Sequence, residues 1–252
     1  MLRLLFWHSD LTATKPPKPS GLEAVPPTPL RYRVWGEMDI DRFAWGGKHC
    51  KRDIDNALEK TGKAVSNYSN ILDFGCGCGR VFMFMTNDLK DNNFFGTDID
   101  KDAIDWCRKS FPAYDFKVNN HRPPLDYPSN FFDLVLSVAV FRHLNEADQF
   151  IWLQELQRVM EPGGILLLSL HGQFLWKDFP DEERAVLEKE GFLFKQLQDP
   201  YHRTIFPEWY QATYHSREYV MKHYVKYFEI VDYISRGVEN ETDLVICRKA
   251  II

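Results

Sequence analysis

Ten residues, Ile71-Leu72-Asp73-Phe74-Gly75-Cys76-Gly77-Cys78-Gly79-Arg80, limit what this chain can fold into more than any other stretch. Ile71, Leu72 and Phe74 read as a short buried strand. The alternating glycines then turn the backbone tightly and let it approach a ligand where a Cβ would clash. The run from Arg80 to Lys90 is expected to continue as a helix whose first amides face the turn. Strand, glycine turn and helix make a nucleotide-type site. A dinucleotide fingerprint, G-x-G-x-x-G, needs glycine at position 80, where arginine stands.

The rest of the chain repeats the strand-helix theme. Phe94 to Asp98 is a second strand, and Asp100 caps a helix from Lys101 to Phe111. Tyr114 to Val118 is a third strand. The continuous apolar run from Phe131 to Val140 predicts a central parallel strand covered on both faces. Asn145 caps the next helix, and Ile165 to Leu170 is a fifth strand. Alternation with short connections predicts an α/β fold with a doubly wound, mainly parallel sheet, whose ligands sit off the carboxyl ends of the strands. The closing segments FEIVDYI and ETDLVICRK predict an antiparallel pair on the sheet edge.

Gly75, Asp98, Asn119, Ser137, His143 and His171 all fall at or just past carboxyl ends. Asp98 lies nineteen residues beyond Gly79, the distance at which an acid ending the second strand accepts ribose hydroxyls. Asn119 and Asn120 both donate and accept, which suits an adenine edge.

The organisation around this core is read from composition. Residues 1–30 form a proline-rich extension, with six prolines between residues 14 and 30 that favour extended chain. Residues 31–252 form the domain. Within it, 31–62 is a lid-like segment with aromatics at Tyr32, Trp35, Phe43 and Trp45 and a helix from Asp53 to Thr61. Residues 173–227 are an insertion on the substrate side, since long insertions at a ligand edge carry specificity.

Net charge is −5 over 252 residues and the basic residues are scattered, so no footprint for a nucleic-acid backbone exists. The five cysteines are odd in number and dispersed, which points to a reducing compartment, taken as the cytoplasm. Cys76 and Cys78 have no second pair to complete a zinc site, and no metal is expected. The apolar run at the start is too short for a membrane span.

Together LDFGCGCGR, GTDID, FFDLVLSVAVFRHL and RVMEPGGILLLSLHG resemble the successive motifs of class I S-adenosylmethionine (SAM)-dependent methyltransferases. More loosely, VPPTPLRYRVWG and FPEWYQATYHSREYV resemble a bacterial-type subgroup of that family. The resemblance implies a seven-stranded sheet with an antiparallel C-terminal strand, and SAM as cofactor. It also implies that Asp73, Gly75, Cys76, Gly77 and Gly79 hold the methionine end. Asp98 and Ile99 would then serve the ribose, and Asn119, Asn120 and Ser137 the remainder. Where many members have an acid near the adenine, this chain has Asn119-Asn120-His121.

Methyl transfer is an in-line displacement, so a protein supplies alignment and exclusion of water, plus a base when the acceptor is a hydroxyl or amine. His143, His171 and His215 are the candidate bases. Trp209, Tyr210 and Tyr214 form an expected apolar wall for a small or medium organic acceptor, methylated at a hydroxyl oxygen. Two other functions share much of this pattern: a noncatalytic SAM-binding regulatory module, and an NAD-dependent oxidoreductase.

Overall fold

The computed structural model describes residues 22–89, 91–197, 205–208 and 210–251. Five strands follow the expected alternation: β1 (Asn70–Phe74), β2 (Asn93–Asp98), β3 (Asp115–Val118), β4 (Phe132–Ser137) and β5 (Met160–Leu170). Two more, β6 (Phe192–Lys195) and β7 (Ala212–His215), make a separate antiparallel ladder within the 173–227 insertion. The last pair is β8 (Glu229–Val238) and β9 (Thr242–Arg248).

Seven strands form one sheet in the order β3-β2-β1-β4-β5-β9-β8. β1 to β5 are parallel to their neighbours, and β9 runs antiparallel between β5 and β8. The expected antiparallel pair is present, with β8 at the edge and β9 inside it. The order reverses between β1 and β4, so a crevice opens at their carboxyl ends.

Both faces of the sheet are covered, as the uninterrupted apolar strands require. Alternate residues point to opposite sides: Ile71, Leu134 and Leu167 join one core, while Leu72, Val135 and Leu168 join the other. The first core takes Phe43, Ile54 and Leu58 of a long helix; the second takes Trp152, Leu153 and Leu156 of the helix after β4.

Three expectations are corrected. Residues after Arg80 form two 3-10 turns, Phe82–Phe84 and Thr86–Asp88, instead of an α-helix. Phe82, Met83 and Met85 are all buried, and Phe82 sits among Phe94, Phe111, Tyr114 and Phe116. Neighbours that must all point inward do not fit one stripe of an α-helix.

Second, the helix expected at Asp53 to Thr61 is α2, Ile40–Glu59, capped by Asp39, whose side chain accepts from the Arg42 amide. Gly46 and Gly47 lie inside it. A Cβ on Gly47 would come within 2.4 Å of the Arg80 carbonyl oxygen, so these glycines serve helix packing rather than a turn. Third, the proline-rich segment does not stay extended to residue 30. Helix α1 spans Thr28–Trp35 with proline in its first turn, where no amide donor is needed, and Leu22 and Leu30 are buried in the core. Among the described residues no helix is long and apolar enough to cross a membrane.

Candidate active site

The crevice at the switch point is a cavity of about 500 Å³. Its floor is the glycine turn. Gly75 and Gly77 have φ of +83° and +53°, and both line the cavity. A Cβ on Gly75 would fall 2.1 Å from Val140 Cγ2, and one on Gly77 2.6 Å from Val34 Cγ2. Glycine is required here by the left-handed backbone and by the closeness of the 138–140 loop and of α1.

Asp73 ends β1 in the cavity wall. It is buried, yet accepts no hydrogen bond among the described residues. Burial and the neighbouring Asp98 push its carboxyl up to about 7, against the pull of Arg80. Asp98, ending β2, accepts from the Gly77 amide and the Asp100 amide, each at 2.8 Å, and so ties the glycine turn to the second strand. Burial raises it to about 6 despite those bonds.

Asp100 caps helix α3 (Lys101–Ser110) as expected, and also receives Arg33 of α1 in an ion pair at 2.7 Å. Arg33 and Val34 thereby close one side of the cavity. Arg80 reaches the crevice too, bonded to Glu239 of the β8–β9 connection, which in turn accepts from the Trp35 indole. Cys76, Ile99, Asn119 and Asn120 complete this side as lining residues.

On the other side the backbone leaves β4 through Val138, Ala139 and Val140, all in the wall. Ala139 has φ +64°, uncommon for a residue with a Cβ, and its amide is held by Ser169 Oγ at 2.8 Å. The 3-10 turn Phe141–His143 follows and presents His143. His143 Nδ1 lies 2.8 Å from the Gln211 carbonyl oxygen, so it donates there. Nε2 then accepts from Arg142 Nε at 3.1 Å and from the Tyr210 hydroxyl at 2.8 Å. A guanidinium can only donate, so this network assigns the neutral tautomer with its lone pair on Nε2.

The remaining expected residues fall elsewhere. Gly79 lies beneath the turn beside Phe82 and Cys107, and Ser137 is sealed in the core, so neither lines the cavity. Period-two alternation turns Ser137, at the end of β4, inward while Val138 faces the crevice. His215 is fully buried, with Nε2 3.0 Å from Gln149 Oε1, and desolvation holds it down at about 3. Gln149 donates onward to the carbonyls of Phe141 and Leu144, so His215 braces the turn that carries His143. His171 stacks on Tyr214 outside the lining, and burial together with Arg142 lowers it to about 3. Tyr214 is likewise outside the lining, Tyr210 is within it, and Trp209 lies outside the described residues.

Sequence reasoning passed over Arg33, Val34, Ala139 and Trp152, all of which line the cavity. No local signal marks them. Each is brought in by packing between elements distant in sequence.

A cation fits this site. A buried and a half-buried carboxylate near each other, the first without a hydrogen-bond donor, are relieved by positive charge, and SAM carries a sulfonium and an ammonium group. The seven-stranded order with its inserted antiparallel strand is that of the class I SAM-dependent methyltransferase fold, and the acid-bearing glycine turn fits SAM as cofactor. Residues 71–164 match the family model described as a methyltransferase domain.

The 2-methyl-6-phytyl-1,4-hydroquinone methyltransferase of Synechocystis sp. is 24% identical over 196 residues, 69% of this chain and 59% of that protein. The chain spans 47% of a second curated relative. Among solved structures, a SAM-dependent methyltransferase from Methanosarcina mazei is 22% identical with a TM-score of 0.54, covering 73% of this chain and 93% of that one. The 1,6-didemethyltoxoflavin-N1-methyltransferase of Burkholderia thailandensis is 14% identical with a TM-score of 0.58, covering 88% of each chain. Both share the fold.

Proposed function

We propose that this protein transfers the methyl group of SAM to a small or medium organic acceptor at a hydroxyl oxygen. The observation that carries this reading is the division of one cavity into an acidic side, with Asp73 and Asp98, and a side where His143 keeps a lone pair toward Tyr210. SAM, when bound, supplies an electrophilic methyl group on sulfur. Asp73 would hold the ammonium end, Asp98 and Ile99 the ribose, and Asn119 and Asn120 the adenine side. The acceptor would lie against Val140, Phe206 and Tyr210, beside His143. Its hydroxyl proton would pass to the Tyr210 oxygen as Tyr210 gives its own proton to Nε2 of His143, whose other nitrogen stays bonded to Gln211.

The acceptor class is supported by the cavity's size and its lack of a basic stripe, which a polynucleotide would need. The curated relative named for a hydroquinone is in keeping with it. All five cysteines are buried and unpaired, and we place the protein in the cytoplasm.

Isothermal titration with SAM and with NAD, followed by a turnover screen of phenols and other hydroxyl compounds, tests the reading. SAM binding with release of S-adenosylhomocysteine in the presence of a hydroxyl compound is expected. NAD binding without SAM binding would reverse it, and SAM binding with no turnover on any acceptor class would favour a regulatory module.

A further inference from the structure

We infer that the acceptor is an uncharged aromatic ring that carries its hydroxyl directly, and that Phe206 and Tyr210 receive it; this rests on the methyltransferase reading of the crevice. Three rings of the cavity lining form one column. His143 and Tyr210 stack with centroids 3.9 Å apart and planes at 19°, and Tyr210 and Phe206 with centroids 4.4 Å apart at 9°. Tyr210 is thus covered on both faces and meets the cavity with its edge and its hydroxyl, which stands 2.8 Å from Nε2 of His143. An acceptor that hands its proton to that hydroxyl must lay its own body against the rim of the column. The C–H edges of stacked rings are partly positive, and the surface that complements them is the negative face of another ring. Val140, Leu144, Ile205 and Pro207, which complete this wall, are apolar.

Charge points the same way. The acids and arginines of the lining, Asp73, Asp98, Asp100, Arg33 and Arg80, all stand on the cofactor side, and both arginines are paired with carboxylates. On the acceptor side no described lining residue is an acid, a lysine or an arginine, so a charged substituent there would lose water and gain no counter-charge.

Proton affinity narrows the kind of hydroxyl. An imidazole ordinarily titrates at about 6.5, a phenol at about 10 and an aliphatic hydroxyl, like water, at about 16. Passing the proton to a histidine is therefore uphill by roughly three to four powers of ten from a phenol, and by roughly nine from an aliphatic alcohol. Arg142, which donates to the same Nε2 at 3.1 Å, opposes protonation further. A ring hydroxyl is the donor this relay can serve. The acceptor O–H bond breaks toward the Tyr210 oxygen as the Tyr210 proton moves to Nε2. The acceptor oxygen forms its bond to the methyl carbon as the carbon–sulfur bond breaks, and the positive charge passes from sulfonium to imidazolium.

The full chain saturated with S-adenosylhomocysteine is titrated calorimetrically with 2-naphthol, with its saturated counterpart decahydro-2-naphthol and with 6-hydroxy-2-naphthoate. 2-Naphthol is expected to bind at least about fivefold tighter than either, the gain that one or two ring contacts supply. Phe206→Leu, which keeps an apolar side chain at a half-buried position, should bring the preference over the saturated alcohol within about twofold while S-adenosylhomocysteine affinity stays within about twofold. With SAM bound instead, 2-naphthol should release S-adenosylhomocysteine at least about tenfold faster than 2-naphthalenemethanol, whose hydroxyl is aliphatic. The inference is overturned if 2-naphthol does not bind, if the saturated alcohol or the naphthoate binds as tightly, if the preference survives Phe206→Leu, or if 2-naphthol is methylated no faster than 2-naphthalenemethanol. Failure of S-adenosylhomocysteine to bind the wild-type chain would instead strike the methyltransferase reading on which the inference stands.

Discussion

The two halves of the crevice are built by different means. On the cofactor side the groups come from near neighbours in the sheet: Asp73 to Gly77 at the end of β1, and Asp98 to Asp100 at the end of β2, joined by amide-to-carboxylate bonds. On the acceptor side the turn bearing Arg142 and His143 is held by side chains from far along the chain. Thr213 donates to the Leu144 carbonyl across 69 residues, and His215 meets Gln149 across 66. The first half is fixed by backbone geometry and the second by a buried polar network. A network of that kind holds its shape only while every member is satisfied.

The largest effect that would break this contrast is expected at Gly75. Gly75→Val places a branched side chain at positive φ against Val140, and should cost roughly 3 kcal/mol of stability and abolish measurable SAM binding. Calorimetric SAM binding within about tenfold of wild type would mean the turn can adjust and is not backbone-fixed. Next, His215→Ala should lower stability by about 2 to 3 kcal/mol, by opening a cavity in the core and removing one of the two groups bonded to Gln149 Oε1, the other being the Tyr224 hydroxyl, while SAM affinity stays within about twofold. A chemical melt and a SAM titration on the same variant decide it. Loss of SAM affinity would show that the halves are not separable.

Asp98→Ala should weaken SAM by about 2 kcal/mol, because it loses both the ligand contact and the anchor of the Gly77 amide. Acidification sharpens the comparison further. SAM is cationic and its partners must be ionised, so with Asp73 near 7 its affinity should fall by about tenfold between pH 8 and pH 6. The ligand-free fold responds with opposite signs in the two halves. Asp73 and Asp98, raised to about 7 and 6, lend stability below the ordinary carboxylate range that is lost as pH rises through those values. His171 and His215, lowered to about 3, lend stability above 6.5 that is lost as pH falls toward 3. Melting curves of Asp73→Asn and wild type from pH 8 to 5 should therefore diverge while their histidine contributions cancel. The smallest effect belongs to Tyr210→Phe, which removes one hydrogen bond to His143 but leaves Nε2 to take the acceptor's proton itself, and should cost about 1 kcal/mol in transition-state stabilisation with SAM affinity unchanged. Initial rates at saturating SAM measure it, and an unchanged rate would place the acceptor away from Tyr210.

The same contrast explains what the sequence made legible. The glycine turn, Asp73 and Asp98 follow from residue type and local spacing, and the doubly wound, mainly parallel sheet follows from alternation of apolar strands with amphipathic helices. The first half of α2 is harder to read, because Gly46 and Gly47, which let two elements touch, look in sequence like residues that break a helix. Phe82, Met83 and Met85 misled because their inward packing is set by aromatics from β2 and β3. His215 ends a strand just as His171 does, and only the partner strand and Gln149 decide that it points into the core.

The position of β9 bears on how the protein comes into being. The strand that fills the slot between β5 and β8 is the last of the nine to leave the ribosome. Until Thr242–Arg248 emerge, the apolar edge of β5 has no hydrogen-bonding neighbour on that side, and β8 has no sheet to join. During synthesis the nascent chain thus presents a sticky, half-closed sheet, the kind of edge that recruits other strands or a chaperone. A message cut short only a few codons before this strand would yield a polypeptide that holds every cofactor residue and still cannot close.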